Sequence, residues 1–369
     1  MSEHNFLNIH VLISHAASCV NRDNNNLQKH MVFGGVTRAR VSSQSLKYAI
    51  RGSSYYQKKL GEASDRTREI GALADEYVEQ LKSKYSPELI RKTISLASAD
   101  GEKDTQGNIS AKEITSESQS GSIIPWSLAE VAGLCEIVKV AEKEGLSHRQ
   151  LTKRIADNKN ELRKALASSV DIALSGRMTT SGLLDSVEAG MALAHSFTTH
   201  QHTSQLDWFT AVDDFSDANS GKTTAGHIGT QDFATGTFYR YCSVNVPLLA
   251  ENLGNDKAKA LEVCSYLVYL LSTVVPKGKQ NSFAAFNYAD YILASFSDEP
   301  ISLSDAFEKP VQKDREGGFT ETSINGLESY FEKLKTAYAI ESKDMVFNLF
   351  SEEKKPSISK LQEWVKQGH

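Results

Sequence analysis

The chain has 369 residues, of which 40% are hydrophobic and 24% charged, with 41 Lys and Arg against 46 Asp and Glu and a formal net charge of −5. This is an ordinary soluble globular composition, long enough for two or three domains or for one core with large insertions. It has no apolar run of about 18 residues to cross a membrane, and its net negative charge argues against indiscriminate coating of DNA while leaving room for one basic groove.

The N-terminal MSEHNFLNIHVLIS has neither a basic n-region nor a small-residue cleavage site, so a cytoplasmic protein is expected. Cys19, Cys135, Cys242 and Cys264 lie far apart without a CxxC pair and read as reduced core thiols. Leu7, Ile9, Val11 and Ile13 alternate with Asn8, His10, Leu12 and Ser14, the period of a half-buried strand. Helical, charged sequence runs from about Gly61 to Leu166, interrupted by the polar segment at 97–122, which reads as a mobile loop. VDIALSGRMTTSG (170–182) reads as strand again. The Thr-, Ser- and Gly-rich stretch 195–233 suits a protruding hairpin or loop, with large apolar residues at Trp208, Phe209 and Ile228. Strand (237–246), apolar helix (259–275) and strand (283–297) follow, and a charged tail closes with a short helix burying Leu361 and Trp364. Two β-α-β passes of this kind give an α+β fold with the element order of a ferredoxin-like, RRM-like sheet and helices on one face.

The charge is not spread evenly. Between Arg22 and Arg51 stand Arg22, Lys29, Arg38, Arg40, Lys47 and Arg51 against Asp23 alone, a local balance of +5 that leaves −10 for the remainder. Such concentration is the footprint of a polyanion site. Ser42 or Ser43 can cap a helix with Leu46, Ala49 and Ile50 as its buried stripe, leaving Gln44, Lys47 and Arg51 on the opposite face. The N–H groups and positive dipole end of that helix attract phosphate, and Arg38 and Arg40, two apart on an extended segment, point to one side. The face from Gln44 to Arg51 spans about 10 Å, enough to follow a backbone.

Several stretches taken together resemble a known family. NIHVLISHAASCVNRD, FGG with RARVSSQSLKYAIR, VDIALSGRM, LDWFTAVDD, GTQDF, FYRY and AAFN are similar to the CasC family, the crRNA-binding backbone subunit of the type I-E CRISPR Cascade complex and a member of the RAMP superfamily. The resemblance runs nearly end to end, weakest at 100–123 and in the last 60 residues. It implies an RRM-like palm (1–60 and, with the C-terminal tail, 238–369), helical fingers (61–190) and a thumb hairpin (191–237). It further implies a non-catalytic subunit without cofactor or metal. Such a subunit stacks with copies of itself as a helical filament on the crRNA spacer, beside other Cascade subunits, and segments the guide for pairing with target DNA.

Carried over by position, the guide-backbone contacts fall on Arg22, Lys29, Ser42, Gln44 and Lys47, with Arg51 assisting. Arg38, Arg40 and Ser43 join them from the local reading, and Arg66 and Arg177 are further RNA-binding candidates. Met178, Phe209 and Ile228, with the adjoining Trp208, match the apolar positions that wedge beside a displaced nucleotide. Tyr48 and Asn281 stand where the family pattern carries basic residues.

Other readings of the same residues are weaker. His195, His200, His202 and His227 with Asp213 and Asp214 match no zinc spacing. FGG lacks the lysine and hydroxyl residue of a P-loop and is better explained by a turn needing positive φ. The competing function is a metal-independent CRISPR RNA-processing endoribonuclease, for which His10 or His15 is the candidate general base.

Overall fold

The computed structural model describes residues 4–98, 111–179, 183–212, 225–351 and 356–369, with backbone alone at 211–212 and 225–228. In chain order it begins with β1 (Phe6–Ser18), β2 (His30–Phe33), β3 (Val36–Val41) and α1 (Ser43–Arg51). A helical stretch follows: α2 (Ser54–Leu60), α3 (Ile70–Leu81), α4 (Pro87–Ala97), α5 (Leu128–Lys143), α6 (His148–Asp157), α7 (Lys159–Leu166) and α8 (Val170–Ser175). Two short strands, β4 (Asp65–Thr67) and β5 (Ile124–Trp126), are set into it. Next come β6 (Met191–Leu193), β7 (Ser196–Thr198), β8 (Gln205–Val212), β9 (Ala225–Asn245), α9 (Val246–Asn252), α10 (Lys257–Thr273), α11 (Gln280–Phe283) and β10 (Ala289–Ser297). The last elements are α12 (Thr320–Tyr338), β11 (Ser342–Asn348) and α13 (Ile358–Gln367). Helices with an antiparallel-paired sheet make the fold α+β.

Two compact units result, a sheet unit of Met1–Ser53, Leu193–Ser243 and Ser265–His369 and a helical unit of Ser54–Ala192 and Val244–Cys264. The sheet runs β11-β10-β1-β9-β7-β3-β2, with β8 paired to β9. β1 lies inside it and is buried on both faces, not one. Leu12, Tyr291 and Leu293 pack with Ile324, Leu327 and Phe331 of α12, while on the other face Phe296, opposite Leu7, meets Trp364 of α13 at 5.4 Å between ring centroids. The polar half of the alternating strand is therefore enclosed and must be hydrogen-bonded. Asn8 donates to Ser297 Oγ (2.8 Å) and accepts from Tyr241 Oη and the Ile301 amide (3.0 Å each). His10 shares a 2.9 Å hydrogen bond with Tyr239 Oη and stacks on Tyr241. Helices thus cover both faces rather than one, and the stretch read as a charged tail holds a 19-residue helix and an edge strand.

The FGG stretch is the two-residue turn between β2 and β3, with Phe33 opposite Val36 and φ of 59° at Gly34 and 76° at Gly35. Two positive φ values in succession are what a twisted hairpin of this length requires. Gly34 is constrained twice over, since a Cβ there would lie 1.7 Å from the Glu308 carbonyl oxygen.

The helical unit packs Leu73, Ala74 and Tyr77 of α3, Ile90 and Ile94 of α4 and Val131, Leu134 and Val138 of α5 around Trp126. Residues 170–175 form a helix, not the expected strand. A short apolar run buried all round carries no period to tell the two apart. Gly176, at φ 74°, ends it.

Burial lowers the pKa of His10 to about 3 and, with the charge of Arg240 and against a hydrogen bond to Asn287, that of His15 to about 4. Both are neutral when folded but take up a proton near pH 6.5 when unfolded. Stability is therefore full above pH 6.5 and falls on acidification towards pH 4, by about 1.4 kcal/mol per pH unit for each histidine. Urea titrations at pH 7 and pH 5 should show the lower midpoint at pH 5, with a smaller difference in His15→Asn; equal midpoints would contradict the assignment.

Candidate nucleic-acid interface

The basic stretch is held in one hydrogen-bonded frame within the sheet unit. Asp23 Oδ1 accepts from the amides of Asn25 (2.8 Å) and Leu27 (2.9 Å), turning the chain so that Arg22 bridges to Gln28 and donates to Asn26 Oδ1 at 3.0 Å. The Lys29 amide donates to the Asn21 carbonyl (2.8 Å), and the Arg40 amide to that of Lys29 (2.7 Å). Gln28 Nε2 ties the carbonyls of Lys29 (3.0 Å) and Arg40 (2.9 Å) together from inside. Asn21 Oδ1 accepts the Ser42 amide at 2.8 Å, fixing the residue that caps α1.

Ser42 is the N-cap, its hydroxyl accepting the Ser45 amide at 3.3 Å. Leu46, Ala49 and Ile50 are buried, Gln44 and Tyr48 exposed, and Lys47 and Arg51 half-buried. The helix start is less open to an anion than the sequence suggests. Ser43 donates its amide to His195 Nδ1 at 2.9 Å, so among the first three amides only that of Gln44 has no partner among the described residues. The β3–β7 register explains the meeting: Val41 pairs with Ser196, which brings the preceding residue beside the start of α1. Burial and the charges of Arg40 and Lys29 hold the His195 pKa below its usual value. No spacing in the sequence signals this residue.

Among the described residues, Arg22, Lys29, Arg40 and Lys279 have no carboxylate partner, whereas Lys92, Arg154, Arg163 and others are paired. Lys279 enters because Gly278 packs on the 19–20 backbone, where a Cβ would come 2.7 Å from the carbonyl oxygens of both Cys19 and Val20. Burial raises the Cys19 pKa, and the charges of Arg22 and Lys279 oppose that rise.

Two of the expected RNA-binding arginines are structural. Arg38 has no exposed surface and donates to the carbonyls of Thr198 (3.0 Å), Thr199 (2.6 Å), Phe307 (2.9 Å) and Glu308 (3.3 Å). It shares a strand with the half-buried Arg40, but the 307–308 segment closes over its end. Arg177, 3% exposed, grips Glu130 with two nitrogens at 2.6 and 2.7 Å and the Asp185 carbonyl at 3.1 Å. Both are too buried to present a donor to RNA at the surface. Arg66 is exposed, but it belongs to the helical unit and pairs with Asp171 at 3.3 Å.

Met178 is 90% exposed, Trp208 70% and Phe209 44%, so core packing does not account for these side chains. Trp208 and Phe209 lie on β8, with Phe209 opposite Gly229, where a Cβ would come 2.4 Å from its ring. Ile228 pairs with Thr210 through the backbone; its side chain, like residues 99–110 and 213–224, lies outside the described residues. Among the described residues no group of three or more His, Cys, Asp or Glu could hold a metal ion.

A family model described as CT1975-like protein matches residues 7–367. The chain is similar to a solved chain of a "CRISPR RNA-guided surveillance complex, pre-nicking", with TM-score 0.77 and 26% identity over 98% of this chain and 99% of that one. A second, from a "CRISPR RNA-guided surveillance complex", shares the fold at TM-score 0.58 and 22% identity, covering 98% and 99%. None of the curated proteins matches significantly.

Arg177→Ala should lower stability by about 3–5 kcal/mol, because it strands Glu130 in the interior without its cation. Chemical denaturation measures this. A loss below about 1 kcal/mol would return Arg177 to the list of surface ligands.

Proposed function

The chain belongs to the CT1975-like protein family, and on that premise we propose that it is a non-catalytic backbone subunit of a type I-E CRISPR surveillance complex. In this reading copies stack along the crRNA spacer, hold its sugar-phosphate backbone and present it in segments to target DNA. The observation that carries it is the set of cations without carboxylate partners, Arg22 and Lys279 near Cys19, and Lys29 with Arg40 on the frame that leads into α1. Near end-to-end likeness to chains of RNA-guided surveillance complexes supplies the context. Contacts to phosphate position a strand without reading its sequence, which suits a subunit that must accept any spacer while base pairing reads the target.

The sheet unit serves as the palm. Its strands β10, β1, β9 and β7 stand in the order last, first, third, second of a ferredoxin-like motif. The helical unit supplies the fingers and the β8–β9 hairpin the thumb. Exposed Trp208, Phe209 and Met178 act as apolar wedges, which accept any base because every base has a π-face. Against the ribonuclease alternative stands the burial of His10 (0% exposed) and His15 (3%), too deep for either to reach a 2′-OH.

The double variant Arg22→Ala/Lys47→Ala should weaken RNA binding to a similar degree for unrelated spacers. Its log–log salt slope should fall by about 1.4, the value for two contacts on a single strand. A loss confined to particular sequences would contradict backbone contact. Phe209→Ala should keep most guide affinity but change which guide nucleotides react with a chemical probe; an unchanged pattern would remove Phe209 from the wedge.

A further inference from the structure

His195 is exposed, adjoins both Arg40 and Lys29, and has one of its two ring nitrogens engaged, at the first amide of α1. We propose that His195 is a further guide-backbone contact, its Nε2–H serving as an uncharged donor to a phosphate or ribose oxygen. This rests on the RNA-binding reading above.

The proton's place follows from the hydrogen bond. Ser43 N–H can donate only to a nitrogen that carries a lone pair, so Nδ1 is unprotonated and the proton of the neutral ring sits on Nε2. Protonating Nδ1 would set one N–H against another, and the two neighbouring cations oppose it as well. Nε2–H has no acceptor among the described residues, and the Nε of Arg40, whose charge acts on this ring, is buried without a partner. A neutral N–H among cations adds direction without charge. Phosphate attracts each lysine or arginine from any approach, but an N–H on a ring held by its own backbone hydrogen bond donates to an oxygen along one line only.

The competing role is a helix cap with no contact to RNA, and one substitution separates the two. In His195→Asn the side-chain Oδ1 takes the place of Nδ1 and still accepts the Ser43 amide, while the Nε2–H is lost. Its RNA dissociation constant, read by fluorescence anisotropy on a single-stranded RNA, should rise about threefold to tenfold, the worth of one neutral hydrogen bond. The thermal midpoint and the salt slope should not move, in contrast to the cation variants. The same loss on DNA of the same sequence would identify a phosphate oxygen as the acceptor; a loss on RNA alone would identify the 2′-OH. Wild-type affinity in His195→Asn, with lower stability in His195→Ala, would make the residue a cap only and overturn the proposal. Lys47→Ala, measured alongside, shows whether the wider RNA-binding reading stands when this one falls.

Discussion

A guanidinium with no exposed surface fixes the frame on which the basic face is built. Arg38 lies in the sheet unit without a carboxylate, its charge balanced by carbonyl oxygens at 198–199 and 307–308. A buried charge is costly unless it is hydrogen-bonded, and the four carbonyl contacts of its two terminal nitrogens leave β3 little freedom to slide or lift. The Ala39 amide adds a 3.1 Å hydrogen bond to Thr198 Oγ1, and Val41 pairs with Ser196. With β3 pinned, the chain leaves it at one place and in one direction. Ser42 then caps α1, Arg40 emerges beside Lys29, and His195 meets the first helical amide. The same run of basic residues therefore supplies both the anchor and the exposed face.

The exposed face and the hairpin divide a chemical task. In the proposed function, cations without carboxylate partners, an amide at the start of α1 and a neutral imidazole would follow a backbone, and the exposed apolar side chains of β8 would meet bases. Where the family resemblance leads one to expect a basic residue, α1 carries Tyr48, 72% exposed. The close approach of Gly278 to the 19–20 backbone brings Lys279 near Cys19, on which its charge and that of Arg22 both act.

What could be read in advance follows from which forces are local. The span, cap and buried stripe of α1 were legible because capping and a period of 3.6 residues are properties of a few neighbours. The Gly34–Gly35 turn was legible for the same reason. Arg38 and Arg177 misled because charge predicts exposure only on average; their carbonyl and carboxylate partners come from segments distant in sequence. Asn8 and His10 imitate a solvated strand face, yet both are fully buried and each finds a buried partner. The helix at 170–175 lacks the length to show a period. His195 depends wholly on the β3–β7 register, which no window of sequence contains.

The most direct test of the central claim is to co-express the protein with a repeat-spacer transcript and its neighbouring subunits, purify it, and sequence the RNA that accompanies it. The account predicts one discrete guide length with regularly spaced protection. Absence of RNA, or a smear of cellular fragments with cleaved ends, would contradict it.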